Sequence, residues 1–185
     1  MYVLKTYHQT RHARTYYQNE VGAFKKLTRN GRPHPYIIAF YGCYEQANTL
    51  NLVLEYADMG TLEQYFQTFP SPIMPEDINA FWCGLSKIAE ALRSIHDVAP
   101  DENASTLQVL RGWHLDVKPA NILICRRANG SHYNVTFKLA DLGTSHFKHF
   151  TSGVEAADQF RVGTTDYGKF RMVTYQFSAA WGFYL

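Results

Sequence analysis

The run His114-Leu115-Asp116-Val117-Lys118-Pro119-Ala120-Asn121 gathers a carboxylate, a cation and an amide in one short span, and Asp141-Leu142-Gly143 adds a second carboxylate. Such a set suits phosphoryl transfer, where the protein mainly positions a hydroxyl nucleophile and neutralises charge in a loose transition state. Asp116 can orient an attacking hydroxyl and accept its proton. Lys118, two residues on, can reach the negative charge that develops on the transferred group. Asn121 offers a neutral amide oxygen and Asp141 a charged one, both hard donors of the kind Mg²⁺ takes alongside phosphates and water. Taken alone, the run is also what a surface turn around Pro119 and Asn121 would contain. The order of the elements around it decides between the two.

Tyr2-Val3-Leu4-Lys5 reads as a strand ending in a cation, and Ala13 to Leu27 as an amphipathic helix that includes Glu20, Val21, Phe24 and Leu27. Phe40 to Tyr44 and Leu50 to Tyr56 are two β-rich runs around Gln46-Ala47-Asn48, an antiparallel hairpin in outline. Gly60-Thr61-Leu62 opens a short helix to about Thr68. Pro70 and Pro72 break it, and Pro75-Glu76-Asp77 starts a longer one to about His96. The spacing of Ile78, Phe81, Trp82, Leu85, Ile88, Ala89, Leu92 and Ile95 predicts the buried face of that helix. Pro100 to Gln108 reads as a polar loop insertion, and Leu110 to Trp113 leads into the first run. Ile122 to Cys125 and Val135 to Leu139 are expected to pair as strands around Ala128-Asn129-Gly130, presenting Asn121 and Asp141 at adjacent ends.

In this order the motifs resemble the catalytic loop and metal loop of the protein kinases. The resemblance implies an α+β, two-lobed fold and an ATP- and Mg²⁺-dependent transfer of the γ-phosphate to Ser or Thr hydroxyls of a protein substrate. It implies that Lys5 holds the α- and β-phosphates of ATP and that Glu20 pairs with Lys5 to fix it. Glu55-Tyr56-Ala57 resembles the hinge between lobes, where backbone groups of Glu55 and Ala57 would bond adenine, with Leu54 at the back of the pocket and Leu123 also on the nucleotide. Lys118 favours the Ser/Thr branch. Two departures stand out. Leu115 occupies the position of the usual Arg, which removes the cation that pairs with a phosphorylated activation segment, and Leu142 replaces the usual Phe as an apolar plug. Arg161 to Gly168 resembles the end of an activation segment, in which Thr164 would bond the catalytic Asp.

Similarity covers about residues 1 to 168, so the expected layout is a partial small lobe and hinge at 1–57, a partial large lobe at 58–168 and a divergent tail at 169–185. The glycine-rich strand pair and the C-terminal large-lobe helices of the family have no counterpart in the sequence. A fragment with weak or no activity is therefore expected. The alternative is a decayed or pseudokinase-like module that holds nucleotide or a partner without turnover; a small-molecule phosphotransferase is disfavoured by Gly163-Thr164.

Composition sets the remaining bounds. At 185 residues, 46% hydrophobic, 18% charged and 15% aromatic, the chain can bury a core. A net charge of +2 with only the Arg126-Arg127 pair argues against nucleic acid, and short, interrupted apolar stretches argue against a membrane span. Cys43, Cys83 and Cys125 are odd in number and far apart, which predicts buried thiols in a reducing compartment, cytoplasmic or nuclear. The triplets at Asn103 and Asn134 match the glycosylation pattern but have no secretory signal before them.

Overall fold

A computed structural model describes residues 1–8, 10, 12–28, 33–98, 108–127 and 131–151. The chain divides into two units, Met1–Phe150 and Thr151–Leu185, and every described residue except Thr151 belongs to the first. The polar loop before 108, the hairpin tip at 128–130, the segment at 161–168 and the tail at 169–185 lie outside the described residues.

Strand β1 (Tyr2–His8), helix α1 (Ala13–Leu27) and the hairpin β2 (Phe40–Gln46) and β3 (Thr49–Glu55) come first. They form a three-stranded antiparallel sheet in the order β1-β3-β2, with Lys5 opposite Leu52 and an irregularity between Phe40 and Gly42. On β1 only Lys5 and Tyr7 are half-buried while their neighbours are exposed, as alternation along a strand requires. α1 lies against this sheet through Phe24, which is 1% exposed and stacks on Phe40 at 5.0 Å between ring centroids. The strand, the helix and the hairpin fall where the apolar spacing predicts them.

α2 (Leu62–Thr68) and α3 (Pro75–His96) follow. Gly60, at φ +74°, turns the chain into α2, and Thr61 and Gln64 close a reciprocal capping box at its start. The buried stripe of α3 is Phe81, Gly84, Ile88, Ala91 and Ile95, narrower than the face predicted above and rotated from it. Trp82 is 59% exposed, Ile78 and Ala89 are also exposed, and Leu85 and Leu92 are half-buried. The stripe turns through Gly84 because that residue admits the ring of Phe137; a Cβ there would stand 3.1 Å from it. A glycine carries no hydrophobic signal, so the contact that orients the helix is absent from the apolar count.

β4 (Gln108–Trp113) pairs with β7 (His146–Thr151), and β5 (Ile122–Arg126) pairs antiparallel with β6 (Val135–Leu139). Phe137, Leu139, Ile124, Ile95 and Leu142 are fully buried together in the core. The cysteines correct an expectation. All three thiols are free, but Cys43 and Cys83 are exposed, because the alternation of β2 and the outer side of α3 turn them outward; only Cys125 is half-buried. Burial pushes the Cys125 thiol up to about 11. No described helix is long and apolar enough to cross a membrane.

Candidate active site

Ile122 faces Leu139 across the β5-β6 hairpin, and the amide of Ala140 donates to the carbonyl of Asn121 at 2.9 Å. Asn121 and Asp141 thus emerge from neighbouring strand ends, as the hairpin reading predicts. A short 3-10 turn at Pro119–Asn121 lifts the chain out of the loop and into β5. The strand-end geometry is reinforced from behind: Ile38 donates to Leu139 at 2.9 Å and Leu139 to Tyr36 at 2.8 Å, which ties the segment after α1 to β6.

Within the loop, the Asn121 amide nitrogen donates to both the carbonyl and the Oδ2 of Asp116, each at 2.9 Å. With its nitrogen so engaged, the amide keeps its Oδ1 as an acceptor. Lys118 Nζ lies 2.8 Å from Asp116 Oδ2, and the hydrogen bond and charge of Asp116 hold the exposed ammonium above its ordinary value. His114, 2% exposed, joins the two loops: Nε2 meets the Ala140 carbonyl at 2.9 Å and Nδ1 accepts from the Asp116 amide at 3.3 Å. Both bonds suit the neutral ring protonated at Nε2. Burial holds the imidazole below its ordinary value, against the opposing pull of Ala140, Asp141 and Asp116. Leu115 and Asp141, at φ +66° and +62°, take left-handed backbone conformations that side-chain-bearing residues rarely adopt. Such positions gather at functional sites.

The second half of the site comes from the small sheet. Lys5 Nζ bonds Glu20 Oε2 at 2.8 Å and Asp141 Oδ1 at 2.9 Å, joining β1, α1 and the loop after β6. Glu20 has no exposed surface, whereas a lone carboxylate on a helix reads from sequence as a surface charge. Burial works to lower the Lys5 ammonium, but the charge and hydrogen bond of Glu20, joined by Asp141, outweigh it and hold the group well above its ordinary value. Burial likewise works to raise the Asp141 carboxyl, and Lys5 together with the Gly143 amide overcomes it and holds it low. Tyr7, two residues along β1, donates its hydroxyl to the same Glu20 oxygen.

Glu55 ends β3. Its carboxylate takes two bonds from Lys138, at 2.8 and 2.7 Å, and one from the Ala39 amide at 3.1 Å. The hinge resemblance involves only the Glu55 backbone and carries no signal for this side-chain anchor between β3 and β6. Leu123 bridges to Thr61, and Ile124 donates to Gly60 at 2.9 Å, which sets β5 beside the chain leaving Glu55 and Ala57. The structure brings Asp116, Lys118 and Asn121 together in one loop and Lys5, Glu20 and Asp141 in a second cluster, the two joined by the Asn121–Ala140 backbone bond and by His114. Glu55 ends β3, Ala57 follows it and Leu123 lies on β5. His114, Tyr7 and Lys138 were not foreseen.

The donor types that Asn121 and Asp141 offer, one amide oxygen and one carboxylate, are those that fit Mg²⁺ completed by phosphate and water oxygens. Among the described residues no cluster of three or more His, Cys, Asp or Glu side chains could cage a metal ion, so a transition-metal centre has no counterpart there.

Comparison with known proteins points the same way. A family model described as "Protein kinase domain" matches residues 1–176. A calcium and calcium/calmodulin-dependent serine/threonine-protein kinase of Lilium longiflorum is 26% identical over 156 residues, 80% of this chain and 24% of the relative. Serine/threonine-protein kinase ULK1 of Homo sapiens is 33% identical over 119 residues, 62% of this chain and 10% of the relative. Serine/threonine-protein kinase dst4 of Dictyostelium discoideum is 30% identical over 111 residues, 60% of this chain and 18% of the relative. The chain spans about a quarter or less of the length of these curated relatives.

Proposed function

The chain belongs to the protein kinase domain family, and from that membership and the site geometry we propose that it binds Mg-ATP and transfers the γ-phosphate to Ser or Thr hydroxyls of a protein. The observation that carries this reading is the bridge of Lys5 to Glu20 and Asp141, which joins groups 15 and 136 residues apart in sequence. A lysine so held has its ammonium fixed beside the carboxylate of Asp141, where the phosphates of ATP would lie.

The residues divide the work. Residues 1–57 supply the small lobe and hinge and 58–168 the large lobe. Backbone groups of Glu55 and Ala57 bond adenine, and Leu123 lies against it. Lys5 binds the α- and β-phosphates, with Glu20 fixing its position. Asn121 and Asp141 would hold Mg²⁺, which when bound would supply charge neutralisation at the phosphates. Asp116, its Oδ2 already held by Asn121 and Lys118, orients the substrate hydroxyl and accepts its proton. Lys118 moves from Asp116 toward the transferred phosphate as negative charge grows there. Free cysteines and use of ATP fit a cytoplasmic or nuclear protein.

The test is transfer of labelled γ-phosphate from Mg-ATP to a mixture of Ser- and Thr-containing peptides. Asp116→Ala is expected to lower transfer by about 10²- to 10⁴-fold while Mg-ATP affinity stays within about two-fold. Binding of Mg-ATP with no transfer would assign the chain to nucleotide-holding modules, and equal transfer by Asp116→Ala would remove the catalytic assignment.

A further inference from the structure

Tyr7 stands on the same face of β1 as Lys5 and within the same cluster, yet no step above uses it. Its hydroxyl donates to Glu20 Oε2, the oxygen that also accepts from Lys5. Its ring lies under the Lys5 ammonium, 5.2 Å from Nζ to the centroid, and meets the buried Tyr17 edge-on at 6.1 Å and 75°. A Cβ on Gly143 would stand 3.5 Å from the Tyr7 hydroxyl, so the phenol also reaches the Asp141-Leu142-Gly143 loop. Glu20 is fully buried, and its other oxygen, Oε1, has no hydrogen-bond partner among the described residues.

We propose that Tyr7 is a positioning residue for nucleotide binding: its hydroxyl fixes the Glu20 carboxylate, and through it sets where Lys5 presents its ammonium to the phosphates. The physical need is visible in the cluster. A buried carboxylate with one engaged oxygen can rotate about its last torsion, and a single lysine contact restrains that rotation weakly because Lys5 is shared with Asp141. A second donor on the same oxygen, carried by a short rigid ring, removes that freedom. Lys5 can then exchange Asp141 for phosphate oxygens while Glu20 stays in place. The ring contributes again by holding the cation over its face. Burial, with Glu20 next, raises the Tyr7 phenol above its ordinary value, so it keeps the proton it donates throughout the neutral range.

This role rests on the phosphotransfer reading above, and the experiment separates the two. Mg-ATP affinity is measured by calorimetric titration for wild type, Tyr7→Phe, Glu20→Gln and the double variant, with urea midpoints recorded in parallel. Tyr7→Phe keeps the ring and removes only the hydroxyl; it is expected to weaken Mg-ATP binding about ten-fold, the effect of losing one hydrogen bond to a charged group. The same change in the Glu20→Gln background is expected to alter affinity less than about two-fold, since the group through which Tyr7 acts is already neutral. Tyr7→Leu, which loses the ring as well, is expected to weaken binding at least as far. Equal affinity of wild type and Tyr7→Phe, or an equal loss in both backgrounds, overturns the positioning role and leaves the kinase reading intact. A lowered urea midpoint with unchanged affinity overturns it too, as a packing effect alone. Wild type that does not bind Mg-ATP overturns the phosphotransfer reading and this role with it.

Discussion

Replacing Lys5 by Met should destabilise the fold far more than replacing its partner Glu20 by Gln, and the reason is an asymmetry of burial. The Glu20 carboxylate has no exposed surface, while the Lys5 side chain is 31% exposed and keeps a second partner, Asp141, at 2.9 Å. Lys5→Met leaves a buried negative charge whose one remaining donor among the described residues is the Tyr7 hydroxyl. Breaking a fully buried pair from one side costs about 3–5 kcal/mol; with the lysine end partly in water, the expected loss is about 2–3 kcal/mol. Glu20→Gln removes the buried charge and leaves a lysine that can turn to Asp141 and solvent, so about 1 kcal/mol is expected. In urea, with a slope of about 2 kcal/mol/M, Lys5→Met should lower the midpoint by about 1 M or slightly more. The double variant should be more stable than Lys5→Met alone, because removing the stranded carboxylate restores what the single change lost. A Lys5→Met variant no less stable than Glu20→Gln, or a double variant no better than Lys5→Met, would refute the picture of a buried charge that depends on this lysine.

Three further outcomes are expected. His114 is held neutral by burial, so below about pH 6.5 the unfolded chain takes up a proton that the folded one refuses, and stability falls as pH drops from there toward the lowered folded value. The slope for one such group reaches about 1.4 kcal/mol per pH unit, and urea titrations between pH 7 and 5 should show His114→Phe with a slope shallower by up to that amount; His34 and His146, also held low, keep the rest. Lys138→Ala leaves the Glu55 carboxylate, 22% exposed, with only the Ala39 amide among the described residues, and should cost about 1–3 kcal/mol in thermal or urea unfolding. Gly84→Ala places a Cβ 3.1 Å from the fully buried Phe137 ring and 3.3 Å from the Val135 carbonyl, so it should destabilise by about 1–3 kcal/mol although alanine is the better helix former.

What the sequence made legible was local. α1 begins and ends at Ala13 and Leu27, and α3 at Pro75 and His96, because apolar periodicity and the prolines mark them. The clustering of the candidate residues in the two loops was legible for a related reason: Asp116, Lys118 and Asn121 are close in sequence, and one hairpin suffices to bring the Asp141 loop beside them. β7 was not foreseen, since His146–Thr151 mixes cations and aromatics and becomes a strand only by pairing with β4, more than thirty residues earlier. Trp82 looked like core and faces water, because helical spacing alone leaves the direction of the buried stripe open by a residue and Gly84 decides it. Tyr7 and Lys138 carried no signal at all. Each matters through one long-range contact, with Glu20 and with Glu55, and no local pattern records such a contact.

The most direct measurement is Mg²⁺-dependent ATP binding by the wild-type chain and by Asp141→Asn, titrated by calorimetry with Mg²⁺ and again with a chelator. Wild type should bind ATP more tightly with Mg²⁺ than without it, and Asp141→Asn should erase most of that difference while still binding metal-free ATP through Lys5. Identical ATP affinity of wild type with and without Mg²⁺ would contradict the claim that Asn121 and Asp141 form a divalent-ion site beside Lys5.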